Sequence, residues 1–398
     1  MNMLEKALVG GKRYWFWVCC LLAVIGVGFI TYLYQFRVGL GITGMSRDVS
    51  WGLYIGQFTF LVGVAASGVM VVLPYYLHNY KKFGRITVLG EFLAISAVVM
   101  CMLFIFVDMG QPRRVLNVIL HPTPNSVMFF DMLVLSGYLL LNVLVGWTVL
   151  GAERKEVAAP KWVKPFIYLS IAWAPSIHTV TAFLYAGLPG RPFWLSAIMA
   201  ARFLASAFAG GPALLILLAM IVRKYTKFDP GKEAIQALGK IVTYFMITNI
   251  FFLGLEFFTA FYSQMPEHMS SFIYLYSGYG AHAKLVPVMW TSSVLAVIAL
   301  LMLIFPQIRK QEPLLAVACI ATFISLWIDK GFGLIVGGFV PNPFMMITEY
   351  WPTVPESLIT LGVWAIGFLV LTVLYKIAIS IKEEVVFDKY GEKQVRTE

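Results

Sequence analysis

Apolar residues in this chain do not alternate with polar ones. They run together in ten stretches, at 15–34, 52–77, 88–107, 127–150, 165–186, 196–222, 240–262, 285–305, 314–336 and 357–379, apolar on every side. A helix needs about 20 such residues to cross the roughly 30 Å hydrocarbon core of a bilayer. The strands of a membrane barrel would instead alternate lipid-facing and lumen-facing positions. The pattern predicts an all-α polytopic membrane protein with ten transmembrane helices in a single integral membrane domain, 1–398. The first stretch follows Lys12 and Arg13, but it is long for a signal peptide and lacks an A-x-A-like cleavage site, so it reads as a retained helix.

The segments between the stretches differ in charge from one side to the other. The N-terminus, the loops after stretches two, four, six and eight, and the C-terminus hold 22 lysines and arginines, against six in the other five loops. Basic loops resist translocation, which places both termini in the cytoplasm and the protein in the inner membrane. With 60% hydrophobic and 13% charged residues among 398, a water-soluble domain is excluded. The net charge of +10 then reads as topology and as affinity for anionic lipid headgroups, with no nucleic-acid partner implied. The cysteines, Cys19, Cys20, Cys101 and Cys319, lie inside stretches without C-x-x-C spacing. They read as small buried apolar residues, and no iron–sulfur or other metal site is expected.

Stretches two and six echo each other. In "WGLYIGQFTFLVGVAASG" and "WLSAIMAARFLASAFAGG", counted from Trp51 and Trp194, a Phe falls at +9 (Phe60, Phe203) and a Gly at +17 (Gly68, Gly211). The echo predicts two four-helix bundles, 52–186 and 196–336, in parallel orientation because both begin on the same side. Helices 15–34 and 357–379 would flank them, with a cytoplasmic tail at 380–398. Small residues at 65–68 and 207–211 would permit close helix approach.

An ionisable side chain in hydrocarbon costs roughly 3 kcal/mol or more, so each one inside a stretch is a functional candidate. At 1.5 Å per residue, His178 lies roughly 20 Å from the inner end of its helix, Glu256 about 24 Å, and Asp329 and Lys330 about 22 Å. Arg202 and Asp131 lie about 9 Å and 6 Å below the outer surface. Asp108, Tyr54 and Gln57 fall at comparable depth, and only Glu91 stands near the inner mouth. The asymmetry predicts an outward-facing polar cavity, while each charge taken singly also admits a structural ion pair.

His178 is the only one of five histidines deep within a stretch, three residues after a helix-perturbing Pro175. An imidazole can donate to a quinone carbonyl and exchange a proton near neutral pH, and Asp108 could pass that proton to bulk water. One deep histidine cannot supply the pairs of bis-histidine haems. Without a haem, iron–sulfur, flavin or nucleotide motif, a redox role needs a partner that delivers electrons to a diffusible quinone. Two other classes fit the same pattern: a secondary transporter and a passive anchor for a partner subunit.

Three blocks, "WGLYIGQFTFLVGVAASG", "FVDMGQPRRV" leading to "NSVMFFD", and "IHTVTAFLYAGLPGRPFW", resemble the NrfD/PsrC-type integral membrane subunits of multi-subunit quinone oxidoreductases. The block "WIDKGFGLIVGGFVPNPFMMITEYWPTVPESLITLGVWAIG" is similar to the ten-helix branch that includes the DsrP-type subunits of DsrMKJOP complexes and the Hmc-type subunits. The resemblance implies two four-helix bundles with extra flanking helices, no prosthetic group in this chain, and activity only within a complex. It implies menaquinone on the outer side, beside an extracytoplasmic ferredoxin-like iron–sulfur subunit of DsrO type. Cytochrome b, a multihaem cytochrome c and cytoplasmic iron–sulfur subunits would complete the complex, which is linked to sulfite and sulfate reduction. His178 and Asp108 become the quinone and proton residues, with Trp51, Tyr54, Gln57 and Thr179 lining the pocket. Asp131, Arg202, Glu256, Asp329, Lys330 and Glu91 are left as a proton path or a structural network. In "FVDMGQPRRVLNVILHPTPNS", Arg113 and Arg114 stand on the side poor in basic residues and read as facing an acidic partner, as quinone-side electrostatics, or as contacts to lipid headgroups.

Overall fold

The computed structural model describes residues 3–395, with side chains as far as Glu384. Ten helices among them are long and apolar enough to span a bilayer: α1 (Lys12–Val38), α2 (Leu53–Leu77), α3 (Thr87–Asp108), α4 (Val127–Arg154), α5 (Lys161–Ala186), α6 (Met199–Tyr225), α7 (Lys232–Tyr262), α8 (Val286–Ile304), α9 (Glu312–Val336) and α10 (Val354–Glu384). The chain is a multi-pass integral membrane protein. No strand occurs among the described residues, only an isolated bridge between Tyr279 and His282.

Several helices outrun their apolar stretches, while α2 and α8 do not. Helix α7 starts at Lys232 rather than near 240, because its first two turns are polar and project beyond the hydrocarbon where hydropathy carries no signal. The last helix continues to Val395, so most of the expected tail at 380–398 is helical, and 396–398 lie outside the described residues. Helix α2 breaks its winding between Ala66 and Val69. The Ser67-Gly68 pair sits there, and the Ser67 hydroxyl bonds back to the Val64 carbonyl at 2.6 Å, a recognised cause of a helix kink.

Helices α2, α3, α4 and α5 each pack on the next, and α5 closes back on α2; α6, α7, α8 and α9 form a second ring in the same way. The rings meet along a seam where α2 lies against α6. The two tryptophans that open the sequence echo stack across it, Trp51 on Trp194 at 5.9 Å and 27°. Lower down, a Cβ added to Gly211 would fall 1.9 Å from the Ser67 hydroxyl, so only glycine allows that approach.

Helices α1 and α10 pair with each other, and α10 also packs on α3 and α4. Their backbones touch where a Cβ on Gly28 would stand 2.7 Å from the Gly362 Cα. The outer face of α1 presents Phe16, Ile30 and other large apolar side chains to the surroundings, as a lipid-facing helix must. Cys19 and Cys20 lie on that exposed face, which corrects their reading as buried residues; Cys101 and Cys319 are buried. The expectation failed because apolar windows do not say which side of a helix meets lipid.

A second echo links the ends of the two rings. The spacing Gly187-x4-Pro192-Phe193 after α5 recurs as Gly338-x4-Pro343-Phe344 after α9. The bare face of Gly338 receives the Trp194 indole, since a Cβ there would fall 2.0 Å from its Cε2, and the indole N–H donates to the Leu334 carbonyl at 2.8 Å. The last turns of α9, Asp329–Val336, wind as a π-helix, a widening that frequently marks functional sites. It packs on α2 backbone to backbone, with a Cβ on Gly56 only 3.0 Å from the Gly331 Cα.

One buried carboxylate fastens the ends of α2 and α10. Glu356 accepts the Leu53 N–H at 3.1 Å, the Gly44 N–H at 3.0 Å and the Tyr350 hydroxyl. With Thr353 it also forms the reciprocal pair of a capping box. The loop after α3 turns through Pro112–Arg114 and Asn117–Leu120. There the Arg113 guanidinium lies 5.5 Å above the Phe36 ring of α1.

Candidate functional site

On α5, His178, Thr181, Ala182 and Tyr185 occupy positions i, i+3, i+4 and i+7, and all four are buried on one face. That face looks into the seam. The His178 Nε2 lies 2.8 Å from the Phe203 carbonyl of α6. A carbonyl only accepts, so Nε2 carries the hydrogen and the neutral ring keeps Nδ1 as an acceptor. Nδ1 is buried and has no hydrogen-bond partner among the described residues. Beside the His178 ring lies a water-sized cavity lined by Thr59, Gly63, Ser206 and Lys330. The Lys330 ammonium stands 4.7 Å above the Phe203 ring and likewise has no hydrogen-bond acceptor. The seam thus joins the histidine of one ring of helices to the lysine of the other.

From this cavity a hydrogen-bonded pair leads toward the end of the bundle where α3 and α5 finish. Thr59 donates to its own helix at Ile55, 2.7 Å, so the Tyr185 phenol donates to Thr59, 2.5 Å. Tyr185 lies within electrostatic reach of Asp131 and Asp108. Asp131 accepts the Thr181 hydroxyl at 2.6 Å. Asp108, at the end of α3, keeps one buried oxygen without a partner among the described residues and has Glu356 and Tyr54 as electrostatic neighbours. Tyr54 donates to Gln35 of α1 at 2.7 Å, and Gln35 in turn donates to the Val107 carbonyl at 2.7 Å.

The second ring of helices holds a closed network. Arg202 donates two bonds to Asp329, at 2.9 and 3.0 Å, and one to Glu256; Lys330 lies 3.8 Å from the Asp329 Oδ2. Two cations and two carboxylates balance. The guanidinium bonds both acids at once, so Arg202, Glu256 and Asp329 turn to one another, and of the four charges Lys330 is the one that lines the His178 cavity. Unpaired burial of each would be far more costly than pairing. Only Lys330 reaches from the network to the seam.

The remaining candidates are scattered. Gln57 accepts the indole N–H groups of Trp327 at 2.8 Å and Trp364 at 2.9 Å, which ties α2 to α9 and α10 and leaves it outside the lining of the His178 cavity. Trp51 packs among Tyr185, Trp194 and Phe339. Thr179 bonds back to the Pro175 carbonyl at 2.9 Å. Glu91 lies 17 residues before Asp108 on α3, about 25 Å away along the helix, with Lys382 of α10 as its charged neighbour.

Sequence reading missed Thr59, Tyr185, Gln35, Tyr350 and Glu356. Two of them carried a signal: Tyr185 follows His178 by two helical turns, and Thr353-x-x-Glu356 is a capping-box spacing. Among the described residues no group of three or more His, Cys, Asp or Glu side chains could hold a metal ion.

On the loops before α8 and before α10, Glu349 lies 3.3 Å from Lys284 and 3.7 Å from His282 and accepts the Lys284 backbone N–H at 3.1 Å. Burial opposes its charge, but these partners prevail and hold its carboxyl below the usual carboxylate range.

Residues 41–341 match the family model "Polysulphide reductase, NrfD". Among curated proteins, the chain is 27% identical to a putative membrane subunit of a dimethyl sulfoxide reductase from Halobacterium salinarum, covering 90% of this chain and 89% of the relative. It is 22% identical to the Hdr-like menaquinol oxidoreductase integral membrane subunit of Archaeoglobus fulgidus, over 94% and 95% of the two chains. It is 21% identical to the menaquinone reductase integral membrane subunit of Nitratidesulfovibrio vulgaris, over 92% and 91%.

Proposed function

Because the chain belongs to the polysulphide reductase NrfD family, the membrane subunits of quinone oxidoreductase-type complexes, we propose that it exchanges electrons and protons with menaquinol on the face opposite its termini. In this reading the termini are cytoplasmic, the membrane is the inner one, and an extracytoplasmic ferredoxin-like iron–sulfur subunit takes the electrons. The likeness of the C-terminal block to DsrP-type subunits supports a place in sulfite and sulfate reduction.

One observation carries the direction. The Phe203 carbonyl fixes the hydrogen of His178 on Nε2, so the neutral ring meets a ligand with a proton-accepting Nδ1. That suits oxidation of a quinol rather than reduction of a quinone. A bound menaquinol supplies two electrons and two protons. His178 takes a proton at Nδ1, and Asp108, whose free oxygen lies at the outer end of α3, exchanges one with the water outside. Tyr54 and Trp51 stand with Asp108 and Tyr185 respectively at that end and would hold the ring there. The space beside His178 admits a water, not a ring, and a water there would relay the proton to Nδ1. Lys330, across the same cavity, sets the field that this proton enters.

The test is the purified complex with His178→Gln, assayed with a soluble naphthoquinol as donor. Glutamine keeps a donor for the Phe203 carbonyl and offers no base. Quinol oxidation should fall by about 100-fold with KM little changed; an unaltered kcat would refute the assignment.

A further inference from the structure

The face that carries both termini holds an open cleft of about 570 Å³, where α2 ends, α3 begins, and α4 and α10 leave the membrane. That volume is within the range of small-molecule sites. Tyr75, Tyr76, Lys81, Arg85, Glu153 and Lys382 line it. Its charges are not balanced. Glu153 is taken up by Lys382 at 2.6 Å, and the neighbouring Lys82 by Glu233 at 2.8 Å. Lys81 and Arg85 have no carboxylate within ion-pair distance among the described residues, and Arg85 spends one N–H on the Asp229 carbonyl at 3.3 Å. Two cations therefore face the cleft with donors to spare, and their charge calls for an anion.

The walls say what kind. The Tyr75 and Tyr76 rings meet edge to face at 4.8 Å where α2 leaves the apolar layer, and the next residue, Leu77, is exposed. Tyrosine at this level is amphipathic, with its ring toward acyl chains and its hydroxyl toward headgroups. A cationic mouth above an aromatic and aliphatic wall fits an anion with an apolar tail better than a free one. We infer that this cleft binds the phosphate of an anionic glycerophospholipid from the surrounding leaflet, with Lys81 and Arg85 on the phosphate oxygens and the tyrosine pair against the glycerol and first acyl carbons. The lipid would tie the turn between α2 and α3 to α10. Nothing in this inference depends on the quinone reading.

The full-length protein in detergent is titrated with phosphatidylglycerol, phosphatidylcholine or inorganic phosphate, with bound lipid counted by native mass spectrometry. Wild type should retain phosphatidylglycerol in preference to phosphatidylcholine. Lys81→Gln and Arg85→Gln should each lower its occupancy about fivefold, while the Lys81→Arg/Arg85→Lys double variant restores it. Circular dichroism of each variant separates loss of binding from loss of fold. Equal retention of both lipids, or wild-type retention by the double glutamine variant, would overturn the site. Competition by millimolar inorganic phosphate would assign it to free phosphate and overturn the lipid.

Discussion

The imidazole of His178 on α5 donates to the Phe203 carbonyl on α6 at 2.8 Å, across the seam between the two rings of helices. The bond fixes the tautomer, and the opposite nitrogen has no hydrogen-bond partner among the described residues. His178→Phe should therefore abolish proton acceptance and remove one of the two side-chain donors to the Phe203 carbonyl, which keeps the Ser206 hydroxyl at 2.8 Å. The lost hydrogen bond should lower stability by about 1 kcal/mol, where His178→Gln loses less. Thermal unfolding of both variants separates the chemical role from the structural one, and equal Tm values would count against the tautomer argument.

Tyr185 connects the cavity to the outer carboxylates through Thr59. Tyr185→Phe keeps the ring packed among Trp51, Trp194 and Phe203 and removes only the hydroxyl. Quinol oxidation is expected to slow by roughly tenfold at constant KM, at the lower end of what one proton-handling group contributes, with stability lower by about 1 kcal/mol. An unchanged rate would remove Tyr185 from the route.

Arg202 neutralises Asp329 and Glu256 together. Arg202→Met should leave two buried carboxylates facing Lys330 alone and destabilise the protein by about 3–5 kcal/mol, read as a collapse of folded yield in detergent. Arg202→Lys should rescue little, since an ammonium cannot reproduce the fork. If Arg202→Met is as stable as wild type, the four charges are not one structural unit.

Acid should loosen the outer loops first at Glu349. Its folded-state pKa lies below the ordinary carboxylate value, so its contribution is complete above about pH 4.3, the unfolded value, and is lost as pH falls through the folded one. Hydrogen exchange of 342–351 should accelerate on acidification below that range, once corrected for intrinsic rates. Glu349→Gln should show the faster exchange already at pH 6. Wild-type protection that persists unchanged at pH 3 would contradict the linkage.

The ten crossings were legible because hydrocarbon demands long apolar runs, and the membrane family was legible in blocks such as "FVDMGQPRRV". The site was legible only as a set of depths. Depth follows from rise per residue, but the facing of a side chain follows from helix packing, which a single sequence does not state. Hence Asp329 and Arg202 turned toward each other, and Gln57 turned to two indoles. Glu356 was passed over because it stands at a span end, where a carboxylate is ordinary; its importance comes from Leu53 and Gly44, more than 300 residues away in sequence.

Trp51 and Trp194 stack at the same level because each opens a set of four crossings. An even number of crossings returns the chain to the side from which it set out, so a second set can follow the first with the same end up and no change in loop charge. The two sets then share an axis along the membrane normal, and the residues on that axis must tolerate their own counterparts. Ring lies on ring at the outer mouth, and glycine faces serine within. A lineage that gained or lost one crossing inside either set would turn that set upside down, and the two tryptophans would end on opposite faces of the membrane.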